Sequence, residues 1–160
     1  NIKKGMRIEV AEQFTKDCHA LGVAIHGTFI LGLPGESKET IRETVEFAKR
    51  INPHTIQVSL AAPYPGTCLY DQAVKNGWLD AANAELVDDS GIQIAPLHYP
   101  HLSHSEIFNS LEGFYREFYF RPSKIASIVG EMVRSTDMMK RRLREGVESF
   151  EFLRRRKEAA

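Results

Sequence analysis

Two turn-forming stretches, Gly32-Leu33-Pro34-Gly35-Glu36 and Pro63-Tyr64-Pro65-Gly66-Thr67, each close an apolar run and precede a helix-like pattern. Glycine at such places permits positive φ or lets backbone come close to a ligand, and proline stiffens the turn. Glu36 stands at a helix entrance, where free amides favour a carboxylate. The same residues also make a sound turn and helix cap without any ligand. The turn alone leaves both readings open.

Other side chains with chemical potential are weaker candidates. Cys18 falls on the apolar face of a helical pattern, which is the setting of a buried thiol. Cys68 follows the second turn, but one thiol cannot hold an iron–sulfur cluster. His98, His101 and His104 recur at a spacing of three, yet they flank a proline in a loop-like stretch with no thiolate nearby, and a solvated loop is the simpler reading. No metal site is assigned. Phe and Tyr between 114 and 120 read as core rather than a substrate platform.

These residues need elements to position them. Ile8, Ala11, Phe14, Cys18 and Leu21 share one helical face, and Gly22 stops the helix. "VAIHGTFIL" reads as a strand with Val23, Ile25, Phe29 and Leu31 on one face and Ala24, His26, Thr28 and Ile30 on the other. Ser37 caps a helix with apolar face Ile41, Val45, Ala48 and Ile51. "TIQVSLA" is a second strand, alternating Ile56, Val58 and Leu60 with Gln57, Ser59 and Ala61. Strand, helix and strand joined by short connections imply a right-handed parallel unit, with both turns at the carboxyl ends where parallel α/β folds place their sites. The apolar faces then pack under the helices. His26, Thr28, Gln57 and Ser59 are left on the opposite face, which fits either a ligand-holding lumen or a half-exposed sheet face.

Further along, "CLYDQAVKNG" is a short helix ending at Gly77, with Trp78 set against the core. Residues 80–100 read as irregular connection with one short strand, "IQIA". Ser103 with Glu106 forms a capping box, and Leu102 with Ile107 a hydrophobic staple. They open a helix that carries Ile107, Phe108, Leu111, Phe114, Tyr115 and Phe118, and Pro122 ends that segment. Two more helices start near Ser123 and Thr136. The expected organisation is an α/β part over 1–78, a connection over 79–102 and a helical region over 103–160.

Formal net charge is zero, from 21 basic and 21 acidic residues, so composition gives no global pull toward nucleic acid. The balance is uneven, because residues 140–157 hold eight basic against three acidic side chains, a local excess of five. No apolar run approaches the ~18 residues of a membrane-spanning helix and no signal peptide is visible, so a cytoplasmic protein is expected. Two parallel strands alone leave edges unpaired, although both have the two-sided character of central strands. With Asn1 at the start, the expectation is the later part of a longer polypeptide.

The segment Gly27–Glu36 resembles the fifth-strand motif of radical S-adenosylmethionine (radical SAM) enzymes, in which an apolar strand runs into Gly-Leu/Phe-Pro-Gly-Glu. Its spacing to "PYPGT" is similar to that in the subgroup shared by methylthiotransferases and cobalamin-dependent radical enzymes. "NIKKGMR", "FYREFYFRPSKI" and "MMKRRLREG" extend the likeness to the hopanoid-biosynthesis-associated radical SAM proteins of the HpnJ type.

That resemblance implies the later part of a radical SAM (β/α) partial TIM barrel followed by a helical region. It implies S-adenosylmethionine as cofactor, beside a 4Fe-4S cluster and cobalamin. The cluster's Cys-x3-Cys-x2-Cys motif is absent from this sequence, so both of the latter would be bound elsewhere in the full-length protein and this segment alone would be inactive. The chemistry implied is a 5′-deoxyadenosyl radical driving a carbon-skeleton rearrangement in making the cyclitol ether head group of bacteriohopanepolyols. Carried over by residue, Ile30, Gly32, Leu33 and Pro34 would lie beside the adenine and ribose, Glu36 would belong to the same cofactor site, and Ala62, Pro63 and Tyr64 would lie near the adenine. His26, Thr28, Gln57 and Ser59 would line the substrate lumen. The partner implied is a hopanoid lipid, not nucleic acid, with membrane-surface contact through the basic terminal helix. Two alternatives stand beside it: a tRNA methylthiotransferase-like enzyme, whose usual β-rich terminal domain is unlike this helical tail, and a non-catalytic helical binding module.

Overall fold

The computed structural model describes residues 5, 7–79 and 97–134, together with residues 137, 139, 140, 144 and 146. Most of the basic terminal segment and the "IQIA" strand lie outside the described residues. The chain forms two compact units, Asn1–Tyr115 and Arg116–Ala160. In order the elements are α1 (Ile8–Ala20), β1 (His26–Leu31), α2 (Lys38–Ile51), β2 (Thr55–Leu60), α3 (Cys68–Lys75), α4 (His104–Tyr119) and α5 (Pro122–Arg134). The fold is mixed α/β, and the unit boundary falls within α4.

β1 and β2 pair in parallel, His26 opposite Thr55 through Leu31 opposite Leu60. With α2 between them they make the β–α–β unit that the alternation implies. α2 starts where a β-region residue can accept from the first free amides: the Ser37 hydroxyl accepts from the Thr40 amide at 3.3 Å, and Thr40 Oγ1 accepts from the Ser37 amide at 2.9 Å. Ile41, Val45 and Ala48 are buried at one helical spacing, as expected. α2 ends at Asn52 with φ 45°, a left-handed cap that asparagine tolerates.

The face of the strand pair carrying Phe29, Leu31, Ile56, Val58 and Leu60 turns inward. Phe29 meets Phe114 of α4 with ring centroids 5.2 Å apart. α4 buries Ile107, Leu111 and Phe114 on the same stripe, each 1% exposed. At ~1.5–3 kcal/mol per fully buried large apolar side chain, this layer is a main source of stability. The capping box of α4 is present, with the Ser103 amide donating to Glu106 at 2.8 Å and the Glu106 amide to Ser103 Oγ at 3.3 Å. Leu102 and Ile107, the staple pair, are both 1% exposed.

Two readings need correction. The first strand begins at His26 rather than Val23, and Val23 is 48% exposed. On α1 the apolar face is largely uncovered, with Ile8 56%, Phe14 61% and adjoining Leu21 78% exposed. Instead α1 is tied to α2 by polar groups: Arg50 Nε lies 2.7 Å from Glu12 Oε1, and His19 Nε2 lies 3.3 Å from the Ile51 carbonyl. The helix forms because its pattern is amphipathic, but within the described residues no sheet lies beneath it.

The outer edges of the pair differ as well. Ile25 and Leu31 direct their carbonyls at Thr55 and Ala61. By the period of two, His26, Thr28 and Ile30 therefore point their backbone groups away from β2, and no third described strand pairs with them. On the far side of β2, the Val58 amide donates to the Tyr115 hydroxyl at 2.9 Å.

In the second unit, α5 begins with Pro122 at its first position, where a missing N–H costs nothing. Arg121 donates to the Phe118 carbonyl at 2.9 Å and its guanidinium lies 4.7 Å from the Phe118 ring centroid. Lys124, 4% exposed, places its ammonium 5.1 Å from the same centroid. Among the described residues, no helix is long and apolar enough to cross a membrane.

Candidate functional site

The two turns begin side by side at the carboxyl ends of the strands. The Ala61 amide donates to the Leu31 carbonyl at 2.7 Å, extending the pairing one step past β1. Beyond that point the strand ladder gives out, and side chains take over the backbone groups of Gly32. Glu36 Oε2 accepts from the Gly32 amide and, at 3.3 Å, from the Leu33 amide. The Gly32 carbonyl accepts from the Tyr99 hydroxyl at 2.8 Å in a buried setting. His101 Nε2 donates to the Glu36 carbonyl at 2.8 Å. Lys38, in the first turn of α2, pairs with Glu106 in the first turn of α4 at 2.6 Å.

Aromatic contacts brace this arrangement. Trp78 sits edge-on to Tyr99 with centroids 5.1 Å apart, and His101 stacks on Tyr99 at 5.9 Å. Trp78 also accepts from the His98 amide at 3.0 Å through its carbonyl, which fixes the approach of the 97–102 segment. Its own position is set by the end of α3, where the Trp78 amide donates to Ala73 and the Gly77 amide to Val74. That pair of bonds around a glycine with φ 67° is a Schellman cap.

Burial raises the Glu36 carboxyl above its ordinary value of 4.5, partly offset by the Gly32 and Leu33 amides. Burial, reinforced by the nearby Glu36 charge, pushes the Tyr99 hydroxyl up to about 12, so it remains a donor. Gly32 is required for two reasons. Its φ is +84°, and a Cβ there would meet Ile107 Cγ2 at 3.2 Å. Its lack of a side chain serves packing against α4.

The residues singled out from sequence divide into two groups. Gly32 is buried, while Leu33, Pro34 and Glu36 are half-buried in the first turn. Pro63 is buried and Ala62 half-buried, but Tyr64 is 57% exposed. Ile30, 48% exposed, lies on the outward face. On that face Thr28 stands opposite Gln57, and Ile30 opposite Ser59. His26 Nδ1 lies 2.7 Å from Thr55 Oγ1. Together they form one open, mostly polar sheet face beside the two turns.

Tyr99, Trp78 and Ile107 join the first turn with no sequence signal that ties them to it, and His101, exposed in a loop as expected, also reaches the Glu36 carbonyl. No local signal marks Tyr99, because its partner is 67 residues away in sequence. The alternation of Leu97, Tyr99 and His101 was the one available hint. Among the described residues, no three His, Cys, Asp or Glu side chains gather as a metal site.

No family model matches the chain. It is 30% identical over 131 residues to an uncharacterized methyltransferase of Pyrococcus horikoshii, covering 81% of this chain and 28% of that protein. Over 87 residues it is 32% identical to a probable threonylcarbamoyladenosine tRNA methylthiotransferase of the same organism, covering 54% of this chain and 20% of that protein. The cytidylyl-2-hydroxyethylphosphonate methyltransferase of Streptomyces wedmorensis is 28% identical over 85 residues, 49% of this chain and 16% of that protein. The chain thus spans less than a third of the length of these curated relatives. It is similar to enzymes named for methyl or methylthio transfer, and none of these names refers to hopanoids.

Proposed function

We propose that this chain supplies part of the S-adenosylmethionine site of a radical SAM enzyme. The observation that carries the reading is the pair of adjacent turns at the strand ends, with exposed Ile30 leading into the fixed Gly32–Glu36 turn. An adenine ring needs an apolar surface and fixed backbone groups beside it, and Ile30 with the Leu33–Pro34 turn offers both. Tyr64, exposed on the neighbouring turn, adds an aromatic surface of the same kind. When bound, S-adenosylmethionine supplies the reactive carbon group, and the protein's part is to orient it and keep water out. The likeness to methyl- and methylthiotransferases supports use of this cofactor.

The 4Fe-4S cluster does not fit the described residues. Cys18 is half-buried on α1 and Cys68 exposed at the start of α3, whereas such a cluster takes several thiolates. Neither the cluster nor cobalamin is assigned to side chains of this chain. The finer reading is an enzyme of hopanoid head-group synthesis, supported by the sequence likeness of the helical tail. Its lipid partner, and membrane contact through the basic segment, are part of that proposal. A second reading, a tRNA methylthiotransferase, is favoured by the 32% identity to a protein of that name.

Titrating the full-length protein that carries this chain with S-adenosylhomocysteine tests the shared core of both readings. Binding is expected, and Ile30→Asp should weaken it at least tenfold while leaving the fold intact, since Ile30 is half-exposed. Unchanged affinity in that variant removes the turn from the site.

A further inference from the structure

Gly32 lies where β1 stops being a strand, and its N–H and C=O point away from β2, as do those of Ile30. In a longer ladder those groups would meet another strand. Here they meet Glu36 and Tyr99. The Glu36 carboxylate, half-buried, turns back onto its own turn and is occupied by two amides. Tyr99 reaches in from a segment remote in sequence and is itself held between Trp78 and His101, being only 4% exposed. Its ring is packed against both neighbours, and its hydroxyl meets the Gly32 carbonyl at 2.8 Å.

We propose that Tyr99 is a positioning residue for adenosyl recognition: through its hydroxyl, acting with the Glu36 carboxylate, it sets the Gly32–Leu33 backbone against which the adenosyl group packs. This rests on the cofactor reading above and assigns Glu36 a different task within it, holding backbone rather than touching the ligand. Preorganised backbone binds more tightly because it has less freedom to lose on binding.

Tyr99→Phe deletes the hydroxyl and keeps the ring between its neighbours. In this variant, affinity for S-adenosylhomocysteine should fall about tenfold, the order of one lost buried hydrogen bond. Amide exchange at Gly32 and Leu33 should quicken, and with turnover the KM for S-adenosylmethionine should rise more than kcat falls. Val45→Ala, a core truncation on α2 remote from the turn, is the control for general destabilisation; it should lower the melting temperature without changing affinity. Equal affinity in Tyr99→Phe and the unaltered protein overturns the assignment, and so does equal weakening in Tyr99→Phe and Val45→Ala. If the unaltered full-length protein takes up no S-adenosylhomocysteine, the cofactor reading fails and Tyr99's role in recognition with it. Exchange at Gly32 then still reports whether the hydroxyl holds the turn.

Discussion

The turn after β1 and the turn after β2 start from adjacent backbone and are stabilised in opposite ways. In the first, Gly32 is buried and its polar groups are taken by Glu36 and by Tyr99, while His101 holds the carbonyl of Glu36. In the second, the bonds are local. Thr67 accepts at Oγ1 from the Tyr70 amide at 3.3 Å as the cap of α3, and donates to the Tyr64 carbonyl at 2.7 Å. Pro63 and Pro65 stiffen that stretch, and Tyr64, Pro65 and Gly66 stay exposed. The first turn is thus fixed by the tertiary fold, whereas the second is fixed by its own sequence and leaves the Tyr64 side chain exposed.

Substituting the glycines gives the widest separation between the two. Gly32 and Gly66 share a φ of +84°, so both resist a side chain for the same backbone reason. Only Gly32 adds crowding, with Ile107 at 3.2 Å, while nothing lies within 4 Å at Gly66. Left-handed strain costs about 1–2 kcal/mol and overpacking about 1–3 kcal/mol more. Gly32→Val should therefore lose roughly 3 kcal/mol or more in urea denaturation, and Gly66→Ala about 1 kcal/mol. Equal losses at the two sites would mean that Ile107 yields freely. Because Gly32→Val disturbs packing, it cannot by itself report on ligand contact, which is why Tyr99→Phe and Ile30→Asp are the cleaner probes.

Thr67→Ala removes the local bonds of the second turn and should cost about 1 kcal/mol, the usual value of an N-cap. The effect should stay local. Amide exchange should rise in the first turn of α3 and remain unchanged at Gly32 and Leu33. A rise at both turns would show that they are coupled, and the contrast between them would fail.

What could be read from sequence follows the same division. The cap at Ser37, the capping box at Ser103, the buried stripe Ile41–Val45–Ala48 and the parallel unit were legible, since each rests on spacing within one short segment, whereas the part Thr40 plays in the Ser37 cap came from the structure. The second turn was legible too, because Pro63, Pro65 and Gly66 carry its conformation locally, and the structure adds Thr67 as the cap of α3. The clasp on the first turn was not. Tyr99, His101 and Ile107 reach it only through the fold, and the short alternation of Leu97, Tyr99 and His101 does not say what that segment lies against. On α1 the helix and its apolar face were legible from spacing, but spacing does not say whether anything covers that face, and Cys18 is half-buried rather than buried.

The smallest expected effect concerns how the first turn responds to acid. Glu106 is held down to about 2, first by the hydrogen bond from Lys38 and then by the Ser103 amide and hydroxyl. A carboxyl with a lowered folded value contributes stability above its ordinary 4.5 and loses it as pH falls through about 2. Glu36 works the other way, because burial raises it above 4.5. Its contribution is complete below 4.5 and is lost as pH rises through the raised folded value. On acidification from neutrality, Glu36 should therefore add stability before Glu106 begins to remove it. Lys38 and Glu106 are partly exposed, so the change is small and weakens with salt. Urea midpoints measured at low salt from pH 7 to 2 should show Glu106→Gln flattening the limb between 4.5 and 2, and Glu36→Gln removing the rise that precedes it. A Glu106→Gln profile that overlays the unaltered one across that limb would take Lys38 and Glu106 out of the fastening of the first turn, and leave Tyr99, His101 and Glu36 to hold it.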